Sequence, residues 1–158
     1  MRDLRRIERS LPIALLRARE ATMRLFKPHV DAAGLSLPQW RVIRALAEGG
    51  VNDASDLAAR CAVLPPSPSR ILAALEERGL ITRGREAEDG RRLAIRLTEA
   101  GMAIFSEMAP RSETVYRGLE AEFGAERLAT LLSELDALRR AAEGQAAGGK
   151  GDVSPSAP

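Results

Sequence analysis

Leu57-Ala-Ala-Arg-Cys-Ala-Val-Leu-Pro-Pro-Ser-Pro-Ser-Arg-Ile-Leu72 is the stretch on which the fold turns. Leu57, Ala58 and Cys61 sit at helical spacing and pack inward. Ala62 and Val63 make a tight turn, and Ile71 with Leu72 anchors a second helix. That leaves Ser67, Ser69, Arg70 and Ala74 near the outer, N-terminal face of the second helix. Small side chains let such a helix settle into a major groove, hydroxyls reach bases or phosphates, and Arg70 can fork onto guanine or phosphate. Pro68 is the unusual residue. With Ser67 as the cap, it is the natural first helical residue; a start at Pro66 instead costs a hydrogen bond.

Working outward from this pair, the upstream chain is helical. From Leu11 to Val30, the residues Leu11, Leu15, Ala18, Thr22, Leu25, Phe26 and His29 share one face, and Gly34 ends the helix. Ser36 and Gln39 have the spacing of a capping box, with Pro38 tolerated in the first turn. The helix they open carries Trp40, Ile43 and Leu46 to the stop at Gly49-Gly50. A third starts near Asn52-Asp53, and the fourth ends at Gly79.

Downstream the period changes from helical to alternating. Leu93, Ile95 and Leu97 alternate with Arg92, Ala94 and Arg96, Ile81 to Arg85 is the partner strand, and Glu88-Asp89-Gly90 reads as the tip between them. Three helices and a hairpin make a winged helix-turn-helix, so the class is mainly α with a small β-hairpin. Arg91 and Arg92 flank the tip. A wing places such an arginine in a narrow minor groove, where negative potential is strongest, and Glu86, Glu88 or Asp89 orients it. The bland reading of the same charges is a solvated hairpin. Thr98 caps a long helix bearing Ile104, Phe105, Met108, Val115 and Leu119, and Pro110 within it predicts a bend. After Gly124, Leu128, Leu131, Leu135 and Leu138 recur at heptad-like spacing, better suited to a dimer interface than to a monomer core. From Gly144 the chain is rich in Gly, Ala, Ser and Pro, and a disordered tail is expected over 144–158. Its Gly144-Gln-Ala-Ala-Gly-Gly-Lys150 lacks the hydroxyl residue, preceding strand and following helix of a phosphate-binding loop.

The 158 residues, 45% apolar and 29% charged, suit one folded domain or two small lobes. There is no apolar run of membrane-spanning length and no secretory leader pattern, so a cytoplasmic protein is expected. One cysteine, Cys61, and one histidine, His29, provide neither a disulfide nor an ordinary zinc set. No catalytic constellation, metal site or cofactor motif is found, and an enzyme is not expected. Of the 24 basic residues all but Lys27 and Lys150 are arginine, a bias that serves phosphate contacts and equally reflects a GC-rich genome. Residues 60–97 carry eight basic and five acidic side chains, and residues 98–145 carry five and nine. A basic middle beside an acidic C-terminal third hints at an anionic partner.

Taken together, the long first helix, the helix-turn-helix, Leu75-Glu-Glu-Arg-Gly-Leu-Ile81, the wing Asp89-Gly-Arg-Arg92 and Leu97-Thr-Glu-Ala-Gly101 resemble the MarR family of transcriptional regulators. The resemblance covers residues 11 to about 141. Ile13-Ala-Leu-Leu-Arg-Ala-Arg-Glu-Ala-Thr-Met23 and Gln39-Trp-Arg41 are similar to the subgroup that regulates homoprotocatechuate (4-hydroxyphenylacetate) degradation operons. The likeness implies a homodimer on a pseudo-palindromic double-stranded operator. Residues 10–34 and 98–143 would form the helical dimerisation region and 35–97 the DNA-binding lobe. Asp89 and Arg91 match the family's acidic wing residue and minor-groove arginine; Pro68 and Gly90 depart from its pattern. It also implies a small aromatic acid, such as 4-hydroxyphenylacetate or homoprotocatechuate, bound between the dimer base and the lobe.

Arg19 falls between Phe26 and Val30 on the helical wheel, beside Met23. It reads either as a carboxylate anchor, with Met23, Phe26 and Trp40 holding the ring, or as a snorkelling or intersubunit arginine. Ser36, Gln39 and Arg44 are further polar candidates, Ser36 having its capping role as the alternative. His29 reads as a core or interface histidine and Cys61 as structural. The function expected is a ligand-responsive repressor of an aromatic-acid catabolic operon. The alternatives are a winged-helix module that binds protein, and a redox-responsive regulator acting through Cys61.

Overall fold

In the computed structural model, residue 7 and residues 10–49, 53–63, 67–85 and 93–148 are described. Helix α1 (Leu11–Ala32) opens on Pro12 and closes through Gly34, whose φ of +65° lets Leu35 N–H turn back to Val30 O at 3.1 Å. Helix α2 (Leu37–Glu48) is held at its start by the expected capping box. Ser36 N–H donates to Gln39 Oε1 at 2.8 Å and Gln39 N–H to Ser36 Oγ at 3.3 Å. Asp53 caps α3 (Ala54–Arg60) by accepting from Asp56 N–H at 2.9 Å. The turn that follows takes Ala62 to φ +48°, unusual for a residue with a Cβ, and Val63 N–H closes it on Ala58 O at 3.0 Å.

Helix α4 (Ser67–Glu77) starts at the expected cap, one residue before the expected first helical residue, Pro68. Ser67 is therefore the first helical residue and Pro68 the second, inside the first turn. N–H groups there have no intrahelical acceptor, so the proline forfeits nothing. Strands β1 (Ile81–Arg85) and β2 (Leu93–Leu97) pair antiparallel, Ile81 opposite Leu97 and Arg83 opposite Ile95. The expected tip, Glu88-Asp89-Gly90, lies outside the described residues. Helix α5 (Glu99–Phe123) runs through Pro110 without interruption.

Helix α6 (Ala125–Gly148) extends beyond the Gly144 at which the tail was expected to begin. Gln145, Ala146 and Ala147 are strong helix formers, and one interior glycine costs only about 1 kcal/mol. Composition alone misplaced that boundary. Residues 149–158 are outside the described set.

The core gathers Val30 of α1, Trp40 and Ile43 of α2, Leu57 of α3, Leu72 and Leu75 of α4, Ile81 and Ile95 of the hairpin, and Met108 of α5. Each large aliphatic side chain so enclosed contributes about 1.5–3 kcal/mol. The chain divides into two compact units, Met1–Val115 and Tyr116–Pro158. In the first, α1 and α5 share the core of the winged elements, so it reaches beyond the 35–97 segment. In the second, the Arg127 guanidinium covers the Phe123 ring at 4.4 Å, while Leu131 and Leu132 are exposed. Among the described residues no helix is long and apolar enough to cross a membrane, and no His, Cys, Asp or Glu cluster is arranged to hold a metal ion.

Candidate functional site

Helix α4 turns Leu72 and Leu75 into the core, which fixes what its opposite face presents. Ser69 and Arg70 are exposed, as a helix entering a groove requires. Arg70 makes no ion pair among the described residues. Ala74 is half-buried at the edge of the face, and the exposed alanine is Ala73. The wheel holds that signal, because Ala73 lies nearer than Ala74 to the middle of the line through Ser69 and Glu77. The wing residues Asp89, Arg91 and Arg92 lie outside the described residues. At the hairpin's base, Arg83 Nε donates to Glu76 Oε2 at 2.8 Å, fastening β1 to α4. That guanidinium holds the Glu76 carboxyl below its usual pKa.

The expected effector residues separate into three groups. Trp40 is 3% exposed and stacks on Phe105 of α5, ring centroids 6.1 Å apart. Its Nε1 is buried and has no hydrogen-bond partner among the described residues. Phe26 is buried and meets the His29 ring edge-on at 6.0 Å, and His29 Nε2 lies 3.0 Å from the Oγ of buried Ser112 on α5. Met23 is half-buried on the same helix as Phe26. These apolar and aromatic residues are shared among α1, α2 and α5.

The polar candidates are engaged elsewhere. Arg19 is exposed and pairs with its neighbour Glu20 at 2.7 Å. Ser36 and Gln39 commit their acceptor oxygens to the α2 cap. Arg44 reaches Glu48 at 3.4 Å and lines a cleft of about 180 Å³ with Arg41, Ala45, Glu48, Arg60 and Cys61. Arg60 is tied there by a 2.6 Å bond to Gly49 O. Burial pushes the Cys61 thiol pKa up, against a smaller downward pull from Arg41 and Arg60. A protonated, buried thiol is a poor nucleophile, which argues against redox sensing at this residue. Periodicity puts Phe105 on α5 and His29 on α1 but does not set them against Trp40 and Ser112. Those pairings join α2 to α5 and α1 to α5 across 65 and 83 residues, beyond the reach of periodicity.

Residues 33–92 match the model of the MarR family. The homoprotocatechuate degradative operon repressor of Escherichia coli is 42% identical over 127 residues, covering 80% of this chain and 86% of that one. The HTH-type transcriptional regulator FarR of Neisseria gonorrhoeae is 39% identical over 129 residues, covering 80% and 88%. Among solved structures, NadR in complex with 4-hydroxyphenylacetate superposes with a TM-score of 0.73 at 37% identity, covering 82% of this chain and 92% of that one. A winged helix-turn-helix with an exposed recognition face, joined to likeness of this extent, leaves one conclusion: the chain belongs to the MarR family of transcriptional regulators.

Proposed function

We propose that the chain is a homodimeric repressor of an aromatic-acid catabolic operon, released from a pseudo-palindromic operator by a small aromatic carboxylate. The observation that carries the effector half of this reading is Trp40 Nε1, a buried donor without an acceptor among the described residues. An N–H left dry costs about 1–3 kcal/mol, which a carboxylate or phenol oxygen would offset. Phe105, Phe26 and Met23 supply apolar walls for a ring. Arg44, one turn along α2 from Trp40 and 3.4 Å from Glu48, is the cation we assign to the carboxylate. The E. coli relative represses a homoprotocatechuate operon and NadR binds 4-hydroxyphenylacetate, so hydroxylated phenylacetates are the class to try first.

On the DNA side, Ser67, Ser69, Arg70 and Ala74 would enter the major groove, and Asp89, Arg91 and Arg92 would serve the minor groove. The homodimer draws support from the exposed leucines of α1, among them Leu11 and Leu16, and from those of α6. Two copies place two reading heads on one duplex, and an effector that favours another spacing of the heads weakens binding. By linkage, DNA weakens effector binding equally.

Calorimetric titration with 4-hydroxyphenylacetate tests the effector. The wild type binds it, and Trp40→Phe, which keeps the ring and removes the N–H, loses about tenfold or more in affinity. If neither this acid nor related ones change operator affinity in the wild type, the ligand class is wrong.

A further inference from the structure

The motif Leu75-Glu-Glu-Arg-Gly-Leu-Ile81 contains a residue whose task the fold alone does not explain. Arg78, just past the end of α4, sends Nη1 to the carbonyl oxygen of Gly34 at 2.7 Å, across 44 residues of sequence. Gly34 is the turn between α1 and α2, four residues after Val30 and two before the Ser36 cap. It therefore lies between the helix that carries Phe26 and the helix that carries Trp40.

The same short turn is fastened to a third element. Thr98 Oγ1 donates to Gly79 O at 2.6 Å, and Thr98 N–H donates to Leu80 O at 3.1 Å. Gly101, in the first turn of α5, lies so close that a Cβ there would stand 2.1 Å from Leu80 O. Residues 78–80 are thus bonded to the α1–α2 turn on one side and to the start of α5 on the other. The opposite end of α4 presents Ser69 and Arg70 to solvent.

A helix of this length, about 16 Å, acts as a lever on such a joint. A tilt of about 5° at the fastened end moves the reading end by about 1.4 Å. That is enough to break a base contact whose geometry tolerates a few tenths of an ångström.

We propose that Arg78 is the positioning residue that refers the recognition helix to the α1–α2 turn, so that a displacement of either helix reaches Ser69 and Arg70. The effector part of this inference rests on the function proposed above; the positioning part does not. Because the Arg78–Gly34 bond is exposed, its loss leaves the fold standing and appears in the pose of α4.

The variants Arg78→Met and Arg78→Lys test it on the full chain, with a duplex that the wild type selects from a random pool. Melting temperature reports folding, and Trp40, the only tryptophan, reports 4-hydroxyphenylacetate binding by fluorescence. Arg78→Met is expected to melt within about 5 °C of the wild type. It should bind the duplex about tenfold more weakly, and the ratio of duplex affinities without and with the acid should fall from the range of about 5–150 toward one. Acid binding seen at Trp40 should stay within about threefold of the wild type, since Arg78 touches neither ring. Arg78→Lys keeps a donor within reach of Gly34 O and should recover most of both losses. Wild-type duplex affinity in a folded Arg78→Met overturns the positioning role, whatever the acid does. If the acid leaves the wild type itself unchanged, the effector reading fails while loss of duplex affinity in Arg78→Met still upholds the positioning role.

Discussion

Leu57, Leu72, Leu75 and Leu80 of the first unit are at most 5% exposed, whereas Leu131 and Leu132 on α6 are 41% and 60% exposed. Both sets occur at helical or near-helical spacing, and both would gain about the same free energy per side chain on leaving water. The difference is that the first unit brings residues of five helices and a hairpin around its leucines. Helix α6 leaves Leu131 and Leu132 exposed and Leu128, Leu135 and Leu138 only half-buried. The core leucines of the first unit are thus buried within one chain. The C-terminal unit carries the kind of surface whose burial depends on a partner, and in the proposed function that partner is a second copy.

The largest effect that could break this contrast is expected at Leu75, which is fully buried. Leu75→Ala should destabilise the chain by about 2–5 kcal/mol, through lost transfer energy and the cavity left behind. Urea unfolding measures it. A loss below about 1 kcal/mol would show that the first unit's core tolerates collapse there, and the contrast with α6 would weaken. Next in size is Leu131→Ser. Its own unit should lose within about 0.5 kcal/mol in a dilute monomer, as for an exposed site. Self-association should weaken by about tenfold or more, the equivalent of one leucine's burial. Sedimentation equilibrium over a range of concentrations gives the constant, and a value equal to the wild type's would leave these leucines in water.

Much of the lobe was legible because its signals are local. The Ser36–Gln39 capping box, the start of α3 near Asn52-Asp53, Gly34 and Gly79 as helix stops, and the alternation of Leu93, Ile95 and Leu97 each act within a few residues, and each is found where the sequence puts it. The candidate site was legible only in part. Wheel geometry sets Arg19 beside Phe26 and Val30, but a wheel gives direction and not the partner, and it does not foretell the 2.7 Å pair with Glu20. Ala73 falls on the exposed arc between Ser69 and Glu77, while Ala74 lies about 100° further round the helix and is half-buried. Trp40 was legible as an aromatic wall, yet its unpartnered N–H depends on what surrounds it from α5, and no spacing within α2 encodes that. The end of α6 was misplaced because glycine was weighed by composition rather than against the helix formers beside it.

The smallest expected effect is a pH dependence that separates the two units. His29, packed against Phe26 and beside Ser112, has its pKa lowered from 6.5, first by burial and then by the charge of Arg111. In the second unit, Asp136 has its pKa lowered from 3.8 by the hydrogen bond from Arg139, so its contribution persists until the solution is far more acidic. Because the folded chain holds a proton on His29 less tightly than the unfolded chain does, the unfolded state binds more protons between the two values. Stability is therefore full above about pH 6.5, falls as pH drops through that window, and levels off below the folded value. Unfolding midpoints in urea between about pH 8 and pH 5 should trace this decline, and His29→Gln, which can still reach Ser112 but does not titrate, should flatten it. A wild type with no slope there, or a variant that keeps the slope, would remove His29 as its source and leave the lobe and α6 alike in their response to mild acid.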